Sequence, residues 1–264
     1  MIAAVPDGTC HECRRGWPSV CPNQERIGYR YDGGFAELMR VPAKVLAVDG
    51  VNRIPEGLSF AEASVAEPLS CVINGQDQAR VGEGQVVVVV GAGPIGCLHV
   101  RLARARGADR VFLIERNRRR LELAAGLVGP DEAIGADGID TVGAVRDLTG
   151  GRGADVIVVA NGSGQAQEAA LRMAARRGTV SFFGGLPKDR PTITLDSNVV
   201  HYREVGIVGA NGSSPAHNQQ ALALIASGAV PVADLITHRL PLEDALEGIH
   251  TVTRGEAIKV TMEA

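Results

Sequence analysis

"GQVVVVVGAGPIGCLHVRLARARGADRVFLIERN" (Gly84–Asn117) decides the fold of this chain. Its five consecutive valines read as a strand buried on both faces, the pattern of a parallel sheet. Pro94–Arg106 reads as a helix with apolar positions at Ile95, Leu98, Leu102 and Ala103, and "RVFLIE" reads as the next strand. Between strand and helix lies "GAGPIG", with Gly91, Gly93 and Gly96 in a G-x-G-x-x-G frame. In that setting Gly91 permits a tight turn, Gly93 lets the backbone approach a pyrophosphate, and Gly96 allows close helix–strand packing. The helix start, with Pro94 and Ile95, adds free N–H groups and a positive dipole end for the phosphates.

An acid about 20 residues further on should reach the ribose hydroxyls, and Glu115 closes the second strand. Its charge repels a 2′-phosphate and points to NAD. Arg116, Arg118, Arg119 and Arg120 follow at once and leave NADP open, with at least two of them expected to be a solvated helix start.

Outward from this unit the alternation continues: a helix at "RRLELAAGL", a strand at "DVIVVA", a helix at "AQEAALRMAA" and a strand at "TVSFFGG". Strands alternating with helices predict an α/β fold with a doubly wound parallel sheet. Upstream, residues 1–66 are irregular, with short strand-like pieces such as "VLAV", and "EPLSCVINGQDQA" begins a helix with Pro68 in its first turn. Downstream, "AHNQQALALIASG" is helical, "ADLITHRLPL" strand-like, "EDALEGIHTVT" helical and "AIKVTM" a closing strand.

The 264 residues carry a formal net charge of −3, which gives no electrostatic case for nucleic acid or an anionic membrane. No apolar run approaches the roughly 18 residues of a spanning helix. An odd count of five cysteines, with Cys71 and Cys97 in apolar helical stretches as small core residues, predicts a reducing compartment, the cytoplasm. The start, "MIAAVPDGTC", has no secretory signal pattern.

Three of the cysteines form C-x2-C-x7-C: Cys10, Cys13 and Cys21. Zinc takes four tetrahedral ligands, and Asp7 lies three residues before Cys10, with His11 and Glu12 as competitors for the fourth place. A C-x-x-C redox motif is the rival reading, although such motifs usually open a helix beside a βαβ pattern. The loop-like Arg14–Pro18 stretch after Cys13 favours structural zinc. His201 and His238 have no second ligand at close spacing and read as structural histidines.

Together the cysteine lobe, "DGGFAEL", "EPLS", "VVVVGAGPIG", "LTGGRGADVIVVANG", "SFFGGLPK", "VVHYREVGIVGANGS" and "LITHRLPLEDA" resemble the medium-chain zinc-dependent alcohol dehydrogenase family, and most of all its sorbitol (L-iditol) 2-dehydrogenase-like branch. The resemblance implies a Rossmann sheet plus a partial chaperonin-10-like β domain bearing the zinc lobe. Residues 1–68 would be the partial catalytic domain, 69–208 the dinucleotide-binding domain and 209–264 the return segment. The lobe of the family has four cysteines, and Asp7 stands at the first of those places. The implied cofactor contacts are Gly91–Gly96, Glu115, the turn of Ala160, Asn161 and Gly162, the turn of Phe183, Gly184 and Gly185, then Gly209, Ala210 and Asn211, with Lys259 near the phosphates.

The implied activity is hydride transfer between a secondary alcohol of a polyol or sugar and nicotinamide, in the cleft between domains of a homodimer or homotetramer. Glu67 is the polyol-branch residue that approaches the catalytic zinc. The other ligands of that zinc in the family precede the cysteine lobe, so this chain is expected to lack the N-terminal part of the catalytic domain. Its activity is then expected to be weak or absent, and the alternative is a non-catalytic dinucleotide-binding module. Too few strands would remain to close a barrel, exposing apolar surface.

Overall fold

The computed structural model describes all 264 residues, which form two compact units: residues 75–210, and residues 1–74 together with 211–264.

Residues 75–210 hold six parallel strands: β1 (Val86–Val90), β2 (Arg110–Glu115), β3 (Glu132–Gly135), β4 (Ala154–Val159), β5 (Ala174–Phe182) and β6 (Gly206–Gly209). Their order is β3-β2-β1-β4-β5-β6, so the chain reverses direction across the sheet between β1 and β4. All five β1 valines are buried, as a strand with neighbours on both edges and cover on both faces requires. Val86, Val88, Val90, Phe112, Ile114, Ile157 and Val159 share one core with Val145, Ala170 and Leu171. The alternate residues Val87, Val89, Val111, Leu113, Val156 and Val158 are buried on the other face. Burying each such side chain contributes about 1.5–3 kcal/mol.

The crossovers are α1 (Pro94–Ala105), α2 (Arg118–Val128), α3 (Thr141–Leu148), α4 (Gly164–Met173) and α5 (Ser197–Arg203). Four of these helices are capped by their own side chains: Asn117, Asp140, Ser163 and Asp196 each accept a first-turn backbone N–H. The fifth, α1, starts at Gly93 with no side-chain cap.

β3, α3 and α5 go beyond the sequence expectations. "EAIG" is a four-residue edge strand that is only half-buried, too short for a periodic signal. Strand β5 is longer than "TVSFFGG" predicts and begins with a bulge. Ala154 pairs with Ala174 and Val156 with Thr179, so the intervening residues 175–178 loop out, with Arg177 at φ 61°.

The second unit is irregular. Its strands form two pairs: Ala4–Val5 antiparallel to Glu25–Arg26, and β7 (Ile236–Pro241) parallel to β8 (Lys259–Glu263). "VLAV" is not a strand: Ala43–Ala47 is a short helix that follows Pro42. A four-residue apolar run fits either state, and here Val45 is buried in a small core with Ile2 and Val5, Val48 packs against it, and Leu46 stays exposed. The helix Ala66–Ala79, with Pro68 in its first turn, runs from this unit into the other. Tyr29, Phe35, Leu38 and Phe60 are 70–89% exposed, so the unit does present apolar surface.

Candidate functional site

The turn after β1 is built from glycines with three different reasons. Gly91 has φ 115°, a conformation that L side chains rarely adopt, and a Cβ there would lie 3.1 Å from the Ala160 carbonyl oxygen. A Cβ on Gly96 would lie 1.8 Å from the Gly91 carbonyl oxygen, so the helix passes too close to the turn for any side chain. Gly93 is different. Its φ of −76° suits any residue, and a Cβ there meets nothing within 4 Å. Neither packing nor backbone geometry demands glycine at that position. The space is open to something other than protein, directly at the one crossover-helix start of the sheet that lacks a side-chain cap. This turn therefore fits a dinucleotide pyrophosphate.

Glu115 ends β2 and its carboxylate is held on both sides. Oε2 accepts from the Ala92 N–H at 3.0 Å and Oε1 from the Asn117 N–H at 2.9 Å, tying the two turns together. Gly91, Glu115, Arg116, Arg120, Asn161 and Gly162 line one cleft of about 670 Å³ at the carboxyl ends of the strands, within the size range of small-molecule sites. Of the four arginines, Arg116 and Arg120 face this cleft, whereas Arg118 pairs with Glu122 at 2.8 Å on the helix surface.

Pro94 and Ile95 form the first turn of α1, and Ala160 the end of the β4 turn. The "FGG" turn packs beside them: a Cβ on Gly184 would lie 2.2 Å from the Asn161 carbonyl, so glycine there is a packing requirement, while Gly185 and Gly209 face open space. Phe183 meets His99 edge-on with ring centroids 4.7 Å apart. Gly209 and Ala210 end β6, whereas Asn211 and Lys259 belong to the other compact unit. Several cleft residues escaped the sequence reading, among them the hydroxyl-bearing Thr141 and Ser163. Ser163 was detectable as an N-cap serine before the α4 helical pattern.

In the second unit, Asp7, Cys10, Cys13 and Cys21 come together with their ligand atoms all within 4.8 Å of one another. They are the one such group of three or more histidine, cysteine or acidic side chains in the structure, and His11 and Glu12 stand outside it. A four-residue helix, His11–Arg14, turns Cys13 back so that its N–H donates to Cys10 Sγ at 3.3 Å, and the Asp7 N–H donates to Cys21 Sγ at 3.4 Å. Cys10 Sγ and Cys21 Sγ are 3.7 Å apart. Tetrahedral zinc with bonds of about 2.3 Å to sulfur has edges of about 3.8 Å.

The Asp7 carboxyl is held well below its ordinary range, first by Asn23 Nδ2 at 2.5 Å, then by the backbone N–H groups of Cys10 and Thr9. Desolvation pushes the Cys10 thiol up to about 12, since burial disfavours the thiolate. The donor set fits a divalent zinc-like cation, with a fixed carboxylate completing three sulfurs. Asn23 was not legible in the sequence, because it reaches Asp7 across the loop.

Glu67 lies in the first turn of its helix. The Cys71 thiol donates to Glu67 Oε1 at 3.7 Å, and Ser70 Oγ donates to the Glu67 carbonyl at 2.6 Å. Burial, then the Glu67 charge, pushes Cys71 up to about 12; Lys259 is lowered by burial and raised by Glu67. Cys97 is fully buried in α1, as expected of a core thiol, but Cys71 is only half-buried and leans on Glu67. With one thiol and one ammonium as its neighbours, Glu67 does not belong to a metal-ligand set in this chain. His238 Nδ1 lies 3.0 Å from Thr237 Oγ1, and His201 is exposed against Tyr202. No helix is long and apolar enough to cross a membrane.

The zinc-binding dehydrogenase family model matches residues 94–227. The L-threonine 3-dehydrogenase of Bacillus velezensis is 34% identical over 97% of this chain and 72% of its own length. The sorbitol dehydrogenase of Halalkalibacterium halodurans is 28% identical over the same shares. Among solved structures, alcohol dehydrogenase TADH from Thermus sp. ATN1 is 30% identical with a TM-score of 0.87, covering 98% of this chain and 75% of its own. A zinc-binding dehydrogenase of Sinorhizobium meliloti 1021, solved with NADP, is 29% identical with a TM-score of 0.90, covering 99% and 75%.

Proposed function

Because the chain belongs to the zinc-binding dehydrogenase family, we propose that it is an NAD(P)-dependent oxidoreductase acting on a secondary alcohol of a polyol or sugar. The observation that carries this reading is the open turn at Gly93, where protein packing leaves room at an uncapped helix start. Residues 69–208 would bind the dinucleotide, with the pyrophosphate over Gly91–Gly96 and the adenosine ribose at Glu115. When bound, nicotinamide would supply the acceptor for the hydride lost by the alcohol carbon, and the hydroxyl proton would leave to solvent or a base. The residues of this chain bind and orient the cofactor. Glu115 places a negative charge at the ribose end and favours NAD, while Arg116 and Arg120 are the groups that would meet a 2′-phosphate. Residues 1–68 and 209–264 would form the substrate side, including Glu67 and Lys259, in a homodimer or homotetramer.

The test is paired titrations of NADH and NADPH by fluorescence, followed by turnover with sorbitol, xylitol and L-threonine. NADH is expected to bind at least about tenfold more tightly, a preference of about 1.4 kcal/mol. Glu115→Ala should narrow or reverse that preference. Binding without turnover on any alcohol would favour the dinucleotide-binding module instead. Failure of both nucleotides to bind would overturn the reading.

We further propose that Asp7, Cys10, Cys13 and Cys21 hold one structural zinc. Elemental analysis after gel filtration should give one zinc per chain, and Asp7→Ala should lose most of it. Asp7→Cys, which replaces a hard oxygen with a softer sulfur, should retain zinc longer against a chelator. Equal zinc content in the parent and in Asp7→Ala would remove Asp7 from the ligand set.

A further inference from the structure

At the amino ends of β4 and β5, opposite the cofactor cleft, four arginines line a cavity of about 450 Å³. They arrive from separate elements. Arg146 comes from the last turn of α3, Arg152 from the loop before β4, Arg176 from the β5 bulge and Arg203 from the end of α5. The bulge is what brings Arg176 there. It returns to the sheet at Gly178, where a Cβ would lie 3.0 Å from the carbonyl oxygens of Ala154 and Ala175.

Carbonyl groups hold these guanidiniums but do not neutralise them. Arg146 donates to the carbonyls of Gly151 (3.2 Å) and Arg172 (2.6 Å), Arg176 to that of Tyr202 (3.2 Å) and Arg203 to that of Ala174 (2.6 Å). Only Arg152 has an acid, Asp155, at 2.5 Å. Three positive charges are thus left without a carboxylate around one cavity. Burial lowers the proton affinity of Arg203, and the charges of Arg146 and Arg176 act in the same direction. These carbonyl bonds take one or two N–H groups on Arg146, Arg176 and Arg203 and leave the remainder of their five donors. Those donors form flat forks suited to phosphate oxygens.

We propose that this cavity binds a small phosphate-bearing polyanion, at a site separate from the dinucleotide cleft.

The experiment is calorimetric titration of the full chain with inorganic pyrophosphate, with and without saturating NADH. Arg176→Ala and Arg152→Gln are measured beside the parent; both residues are exposed, and Gln keeps a donor for Asp155. The expected result is binding that persists with NADH present. Each substitution should weaken it about tenfold, as befits a lost charge-assisted contact, at unchanged melting temperature and NADH affinity. Displacement by NADH would place the anion in the cofactor cleft and overturn the proposal. So would absent binding, binding indifferent to both substitutions, or citrate binding more tightly than pyrophosphate. Failure of NADH itself to bind would count against the dehydrogenase reading alone, since the arginine dependence is measured without it.

Discussion

Gly96→Ala is expected to abolish dinucleotide binding and to destabilise the chain, whereas Gly93→Ala is expected to weaken binding alone. The contrast follows from what each new methyl would meet. On Gly96 it would sit 1.8 Å from the Gly91 carbonyl oxygen, and backbone on both sides leaves no flexible side chain to yield. Overpacking of this kind costs about 1–3 kcal/mol, and the rigid partner places it at the upper end. Helix α1 must then lift from the turn, which separates the N–H groups that would grip the pyrophosphate. On Gly93 the methyl meets no protein atom within 4 Å, and the φ of −76° is ordinary for alanine. Stability should change by no more than about 1 kcal/mol, the scale of an N-cap replacement. NADH affinity should nevertheless fall by at least about 30-fold, roughly 2 kcal/mol, because the methyl occupies the approach of the phosphates. Thermal unfolding and fluorescence titration on the two variants decide it. Unimpaired NADH binding by Gly93→Ala would show that the open space serves no phosphate.

His99 should make the chain acid-sensitive. It is fully buried in α1, its Nε2 has no partner, and burial, helped by the charge of Arg106, pushes its pKa down to about 3. An unfolded histidine titrates near 6.5. Below that pH the unfolded state takes up a proton that the folded state refuses, so stability falls as pH falls from about 6.5 towards 3. Each pH unit in that window costs about 1.4 kcal/mol from this residue, or about 2–3 kcal/mol between pH 6.5 and 4.5. Above about pH 6.5 the contribution is flat. His99→Leu should remove the slope and melt higher than the parent at pH 4.5, while differing little at pH 7.5. Melting curves from pH 4.5 to 7.5 check this, and parallel curves for the two proteins would acquit His99.

The sheet centre and its first turn were legible because β1 is an uninterrupted apolar run and β2 carries four apolar residues in a row, all buried, joined through glycines whose spacing has a steric meaning. Edge strand β3 was not legible, since its four residues bury little and leave no period. "VLAV" misled because an apolar run of that length has no intrinsic preference that tertiary packing cannot override. The metal-ligand group was readable as spacing, but Asn23, which fixes Asp7, was not: their contact is 16 residues apart and depends on how the loop closes. The arginine cavity was beyond reach for the same reason. Positions 146, 152, 176 and 203 meet only through the parallel topology and the bulge in β5.

The metal-ligand lobe has one further property. Its short helix, His11–Arg14, buries no residue, and of the four ligands only Cys21 is buried. Such a segment has almost no core of its own, so with zinc bound its shape rests on metal bonds in place of packing. At the apex stand Arg14 and Arg15, both exposed, a dibasic pair that trypsin-like proteases cut when backbone can open into their clefts. Under the zinc reading, a chain that loses its ion frees the backbone at that pair, and limited trypsin digestion should cut there faster after chelation. Its lifetime would then track the surrounding zinc supply, independently of whether any alcohol or nucleotide is present.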